Sequence, residues 1–160
     1  MGSEMCIRDR NTTAEQTFAT AQFMVKIARE RIGKIPNNEL ILAPGISPIG
    51  SDMEGNFKRL MDTIKLIHAN PDFAGINMSV GLSNFTVMLP SKKADGSPIK
   101  GPLESAFLTM AMPFGFNTII GSVKRKYELL PEDHPAMQCL QEILELEGPA
   151  IIMRVMAFLS

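Results

Sequence analysis

The chain has 160 residues, of which 45% are hydrophobic and 21% charged, and its 16 basic and 17 acidic side chains give a formal net charge of −1. This length fits one ordinary domain, and the balanced charge gives no electrostatic reason to expect nucleic acid or a membrane surface as a partner. No apolar run reaches the roughly 18 residues of a membrane-spanning helix, and two cysteines are too few for a disulfide framework, so we expect a cytoplasmic protein.

Residues 1–10, with the sequence MGSEMCIRDR, show no apolar period and no continuity with the rest of the chain. Residues 5–10 resemble the translation of an adapter used to prepare sequencing libraries, and a disordered natural tail is the alternative. In either case we assign them no function and place the domain at residues 11–160.

The first half of this domain predicts a helix, a strand and a second helix. Residues 12–32 carry apolar side chains at three- and four-residue steps, and Thr12 and Glu15 have the spacing of a capping box. The apolar run at 40–43 predicts a strand buried on both faces. A loop rich in Gly, Pro and Ser comes next, and then an amphipathic helix with these residues on its apolar face: Phe57, Leu60, Met61, Ile64 and Ile67.

The second half repeats the alternation of strand and helix. Strands are predicted at residues 75–80 and 117–120, separated by a loop that includes the polar insert 91–97 and by a helix over 103–112 that is apolar nearly all round. Helices near 134–146 and 150–159 complete the chain. Alternating strands and helices indicate a parallel sheet of the α/β class, which is either an open sheet or an arc of a (β/α) barrel.

Both architectures place ligand-binding groups at the carboxyl ends of their strands. Three such ends carry small or Gly-containing sequences, at residues 43–45, 81–84 and 121–122. Such residues allow a flat ligand to approach the backbone. No strand is followed by a G-x-G-x-x-G fingerprint or a Walker loop, so a nucleotide site is not indicated.

The sequence VGLSNFTVMLP at 80–90, with LESAFLTMA at 103–111 and GFNTII at 115–120, resembles the methyltetrahydrofolate:corrinoid methyltransferases. Their relatives are dihydropteroate synthase and the pterin domain of cobalamin-dependent methionine synthase. The resemblance extends from about residue 14 to the end of the chain. It implies that the chain holds strands six to eight of an eight-stranded (β/α)8 TIM barrel, a fold of about 250 residues.

The resemblance also implies a site and a reaction. The chemistry moves the methyl group of methyltetrahydrofolate, the implied cofactor, to a corrinoid cobalt carried by a partner protein, with no metal held by this chain. An Asn amide can both donate and accept a hydrogen bond, which suits Asn84 for catalysis at the ring nitrogen that loses the methyl group. The implied pterin-binding positions are Gly81, Ser83, Asn84, Pro44 and Ile120. From the bare sequence, Asn84 and Ser83 are equally typical of turn residues that bond their own backbone.

Two positions depart from the family pattern, which has an acid at the end of the sixth and eighth strands. Ala43 precedes Pro44 in this chain, and Gly121 follows Ile120. Asp52 and Glu54, in the loop after the first strand, are possible substitutes, although solvated loop charges are the ordinary interpretation.

Other candidates are weaker. His68 and His134 lie at a helix end and a helix start, with no partner at metal-ligand spacing. Five cations in loops after the strands can meet anionic groups such as a folate glutamate tail or an acidic partner, or remain solvated: Lys92, Lys93, Lys124, Arg125 and Lys126.

The sequence therefore predicts a methyltransferase of one-carbon metabolism, with a homodimer as its expected full-length form. A dihydropteroate synthase-like enzyme is one alternative, although the Ser-Arg or Arg-x-His pattern expected to hold its pyrophosphate is missing near the strand ends, where Ser83 and Asn84 stand instead. A non-catalytic module that handles pterin or corrinoid is the other. A three-stranded arc by itself is expected to be inactive, because its strand edges and apolar faces are open.

Overall fold

The computed structural model describes residues 11–160, and the interpretation of residues 1–10 lies outside the described part of the chain. Helix α1 (Ala14–Ile32) opens the fold with a capping box. The pair that forms it is Thr13 and Gln16, so the predicted pair one residue earlier is wrong. Thr13 Oγ1 accepts from Gln16 N at 3.2 Å, while Gln16 Oε1 accepts from the backbone N–H groups of Thr12 and Thr13.

Three short strands form one parallel sheet in the order β1 (Ile41–Leu42), β2 (Asn77–Gly81) and β3 (Thr118–Ile120). Strands β1 and β2 pair from Ile41 opposite Asn77, and β2 and β3 pair from Ser79 opposite Thr118 to Gly81 opposite Ile120. The predicted mixed α/β class with a parallel sheet is confirmed.

The helices alternate with the strands as the sequence indicates. Helix α2 (Asn56–Ala69) lies between β1 and β2, and buries all five side chains predicted for its apolar face. A single helical turn α3 (Leu82–Phe85) and helix α4 (Lys100–Ala111) lie between β2 and β3. Helices α5 (Pro135–Ile143) and α6 (Pro149–Leu159) come after β3. Among residues 11–160, none of these helices combines the length and the apolar character that a membrane crossing requires.

One face of the sheet is packed against the helices and the other is open. Side chains alternate between the two faces along each strand. Met78 and Val80 on β2 are buried in the core with residues of α2, α4, α5 and α6, and Leu42 and Ile119 pack against the same core. On the opposite face, Ile41 is 59% exposed and Ile120 is 72% exposed.

The prediction that the first strand is buried on both faces is therefore wrong. β1 lies at the edge of the sheet, and Ile41 stays 59% exposed on the face opposite the helical core, although Ser79 of the central strand is buried on that face. An apolar strand sequence indicates that both faces suit burial, but a covering layer must be present to bury them.

The segment predicted as a continuous loop after β2 is more ordered than expected. Its first residues form helix α3, and the polar insert forms a small antiparallel hairpin with a bridge between Lys92 and Pro98. Lys93 N donates to Ser97 O at 2.8 Å, and the carboxylate of Asp95 accepts from Ser97 N at 2.8 Å. These local bonds close the insert as a turn, as Asp side chains do when they accept from the backbone two residues on.

Candidate functional site

The three strands are parallel, so their carboxyl ends lie at one edge of the sheet. Gly81 and Ile120 are register partners at the last positions of β2 and β3. Pro44 lies two residues after the end of β1 at the same edge. Most of the predicted substrate-binding residues therefore come from adjacent strand ends.

Helix α3 presents the predicted catalytic residue to solvent. Leu82 and Phe85 are buried beneath the turn, because residues three apart in a helix share a face. Ser83 and Asn84 occupy the opposite face and are exposed. Two buried anchors thus fix the orientation of the two polar residues between them.

The side chain of Asn84 folds back over the end of β2. A Cβ atom placed on Gly81 would lie 3.1 Å from Asn84 Nδ2, which is tighter than an ordinary contact. Asn77, Ser79 and Gly81 are every second residue of β2 and therefore share one face of the sheet. A side chain at position 81 would lie on the face that includes Ile41 and Ile120. Gly81 has a φ of −76°, which any residue adopts, so it is the space beside the amide that glycine provides here.

A buried polar cluster lies directly after this turn and joins the ends of β2 and β3. Thr86 Oγ1 donates to Glu104 Oε1 at 2.5 Å, and the guanidinium of Arg125 pairs with the same carboxylate. Glu104 is fully buried on α4, and its second oxygen, Oε2, has no hydrogen-bond partner in the described part of the chain. The cluster fixes the segment after Asn84 to the loop after β3.

Neither Glu104 nor Thr86 was predicted from the sequence as a site residue. One feature of the sequence could have identified Glu104: it is a single carboxylate in a helix that is apolar nearly all round. A buried charge of this kind is tolerated only when it is paired.

Tyr127 occupies the space beside Gly121, the position where the resembled family has an acid. A Cβ on Gly121 would lie 2.7 Å from Tyr127 Oη, and that oxygen accepts a hydrogen bond from Ser122 N at 3.0 Å. The phenol of the only tyrosine in the chain therefore fills the space that an acidic side chain at position 121 would enter. Ala43, the other departure, is exposed at the end of β1.

Pro44 lines a polar groove of about 510 Å³ between the loop after β1 and the start of α2. Arg59 is central to this groove, and donates to Asn11 O at 2.8 Å and to Asn56 Oδ1 at 2.5 Å. Asn84, Gly81, Ser83 and Ile120 do not line it. Pro44 is thus at the predicted edge but faces a groove separate from the Asn84 amide.

The two loop acids have different roles. Asp52 is buried, and its carboxylate accepts from Asn56 N and Phe57 N at 2.8 Å each, which satisfies backbone donors at the start of α2. The description of Asp52 as a solvated charge is therefore wrong, and its bonds leave it no part at the strand ends. Glu54 is exposed and lines the groove beside Pro44.

The histidines have structural positions. His68 lies in the last turn of α2 with its ring edge-on to Phe114, and His134 caps α5, where its Nδ1 accepts from Ala136 N at 3.1 Å. Within residues 11–160 no group of three or more His, Cys, Asp or Glu side chains is placed to hold a metal ion.

Comparison of the sequence with models of known protein families gives no match, and a search of curated proteins gives none. Proposals about this protein therefore depend on its own residues and their geometry.

Proposed function

We propose that this chain is the strand-six to strand-eight part of a pterin-binding (β/α)8 barrel. In its full-length form, this barrel would transfer the methyl group of methyltetrahydrofolate to the cobalt of a corrinoid partner protein. The observation that carries the proposal is the position of Asn84, whose amide lies over Gly81 at the carboxyl end of the central strand and at the edge of the open sheet face.

The open face supports the barrel part of the proposal. Parallel sheets are normally covered on both faces, and in a closed barrel the inner face is covered by the other strands. Ile41 and Ile120 are apolar and exposed on this face, as expected if further strands of a longer chain cover it.

Asn84 has the chemistry that the reaction needs. In the proposed reaction the N–C bond would break with its electron pair remaining on nitrogen, which would take up a proton from solvent, while the electron pair of cobalt(I) would form the new bond to the methyl group. A neutral amide that donates to this nitrogen stabilises the growing electron density more than the ground state, which lowers the barrier. Asn84 is exposed and has no side-chain hydrogen bond among the bonds of the described residues, so its amide is free for such a ligand.

A non-catalytic pterin- or corrinoid-handling module is the second candidate. Tyr127 occupies the space at Gly121 where the resembled family carries an acid, and Ala43 provides no carboxylate at the other strand end. A buried carboxylate would satisfy the donors of a pterin ring, so its replacement favours weaker or altered ligand binding.

The test is Asn84→Ala in the full-length protein, with Asn38→Ala, an exposed asparagine beside the amino end of β2, as the matched control. We expect methyl transfer to a cobalt(I) corrinoid, followed by its visible absorbance, to fall by about tenfold or more, since loss of one transition-state donor typically costs at least this much. Asn38→Ala should retain the rate of the parent protein. A loss of less than about threefold for Asn84→Ala, under ~1 kcal/mol of barrier, would contradict the proposed role.

Gly81→Ala gives an independent test of the geometry. The new methyl group would lie 3.1 Å from Asn84 Nδ2 and must displace the amide, although no catalytic atom is removed. We expect slower methyl transfer with an unchanged melting temperature.

Pterin binding by the parent protein without any methyl transfer would instead support the non-catalytic module.

A further inference from the structure

A second groove, of about 400 Å³, lies between the start of α4, the loop after β3 and the start of α5. We call it the basic groove, because four cationic side chains and one carboxylate line it: Lys100, Lys124, Arg125, Lys126 and Glu128. His134 lines it from the start of α5. The start of α4 and the loop after β3 thus both bring positive charge to one concave surface.

The loop that carries three of these cations is held in place by partly buried bonds to α4. Arg125 pairs with the buried carboxylate of Glu104. Two bonds from backbone N–H groups to side-chain hydroxyls continue the attachment, from Glu128 N to Ser105 Oγ at 3.2 Å and from Leu130 N to Thr109 Oγ1 at 2.9 Å. The backbone that carries Lys124 and Lys126 is therefore held in place before any ligand arrives, which lowers the entropic cost of binding.

The charges in the basic groove are only partly neutralised. Glu104 compensates Arg125, and Glu128 lies 3.6 Å from the ammonium of Lys126. Lys100 and Lys124 have no carboxylate within ion-pair distance among residues 11–160, although Lys100 Nζ donates to Val87 O at 3.4 Å. Two unneutralised ammonium groups at one groove favour an anionic occupant.

Neutral donors lie beside these charges. Helix α4 has no side-chain cap and no acidic residue in its first turn, and Gly101, whose N–H belongs to that turn, lines the groove. The Nδ1 atom of His134 accepts from Ala136 N, so the N–H of its neutral ring is on Nε2. Lysine ammonium, peptide N–H and imidazole N–H groups together match the oxygen atoms of carboxylates and phosphates.

We propose that the basic groove binds a small molecule bearing several oxyanion groups, either carboxylates or phosphates. Its volume falls within the range of small-molecule sites, about 300–1,000 Å³, and exceeds the space that one inorganic ion needs. The proposal does not depend on the methyl-transfer reaction, because none of the groove residues is a residue proposed for that chemistry.

The experiment titrates the 160-residue chain, which contains every groove residue, with tripolyphosphate and separately with a triglutamate peptide at low ionic strength. Isothermal calorimetry gives the Kd, and amide NMR shifts locate the binding. Lys100→Gln combined with Lys124→Gln removes the two unneutralised charges and leaves the Arg125–Glu104 pair intact. Lys26→Gln combined with Lys34→Gln removes two exposed charges outside the groove and serves as the matched control.

We expect saturable binding of at least one probe, with shifts at Gly101 and residues 124–126. The groove variant should weaken it by about tenfold or more, because bonds to charged groups are the strong ones. The probe that binds more tightly identifies the ligand as a phosphate or a carboxylate compound. Absence of binding by both probes, or an equal loss in the control variant, would overturn the proposal. Melting curves of both variants that match the parent ensure that a loss reflects charge and not unfolding.

Discussion

The two faces of the sheet differ in what they contribute to this protein. The covered face carries Met78 and Val80 into a core closed by helices that precede and follow β2 in the chain. The open face carries exposed Ile41 and Ile120. The Asn84 amide lies at the edge of this face where the strands have their carboxyl ends. We infer that stability depends mainly on the covered side, whereas the exposed side chains of Ser83 and Asn84, oriented by buried Leu82 and Phe85, contribute little to it.

The largest effect expected from this difference is at Phe107. Its ring is fully buried against those of Phe57, Phe85 and Phe116, at centroid distances of 6.4, 5.8 and 5.3 Å. Phe107→Ala should lower the free energy of unfolding by about 3–5 kcal/mol, measured by urea denaturation, because it removes a buried ring and leaves a cavity.

Ile120→Ala on the open face is the matched comparison, and should change the unfolding free energy of the 160-residue chain by no more than about 0.5 kcal/mol. A loss above about 1 kcal/mol in this chain would show that the open face is packed, and would remove the contrast between the faces. A larger loss in a longer protein than in this chain would show that additional chain covers Ile120.

The polar cluster behind helix α3 should give the next largest effect, and an unequal one for its two charges. Glu104 is fully buried, whereas the side chain of Arg125 is 24% exposed. Arg125→Gln leaves a buried carboxylate without its partner and should cost about 3 kcal/mol. Glu104→Gln leaves a guanidinium that can reach water and should cost about 1–2 kcal/mol.

Urea denaturation of both variants at neutral pH measures this inequality. Equal losses, or a larger loss for Glu104→Gln, would contradict the conclusion that the buried carboxylate sets the cost.

A smaller, pH-dependent effect is expected at Cys139, which lies in α5 within the covered core. Burial raises the pKa of its thiol from about 9.0 to about 11. Between these values the unfolded chain loses the thiol proton while the folded chain retains it, so the unfolding free energy falls as pH rises from about 9 to about 11. The contribution should be about 1 kcal/mol between pH 8 and pH 10.

Cys139→Ala removes this part of the pH dependence, so the measurement compares the pH profiles of the parent and the variant in urea. Parallel profiles would contradict the raised pKa.

The sequence predicted the elements well where one local pattern determined the outcome. Helix α2 and its five buried residues, the alternation of strands and helices, and the parallel sheet were all predicted from apolar spacing. Boundaries shifted by one to three residues, as at Thr13 and at the start of α4, because adjacent residues offer equivalent ends and only the packed helix selects one.

The candidate site was predictable only in part. The sequence pointed to residues 81–84, but not to the helical turn that exposes Ser83 and Asn84 over buried Leu82 and Phe85. The roles of Asp52, Glu104 and Tyr127 depend on contacts with residues far away in the chain or on burial that no spacing reveals. The burial of β1 was overestimated because composition indicates which surfaces suit burial, not which surfaces are covered.

Local physical preferences thus determined which segments of this protein are helices and strands, since hydrophobic period and chain breaks act over a few residues. The tertiary structure alone decided which sheet face is packed, that Tyr127 fills the space beside Gly121, and that Glu104 and Arg125 meet between two loops. These features depend on the meeting of segments 5 to more than 20 residues apart, and only the packing of the helices on the sheet brings such segments together.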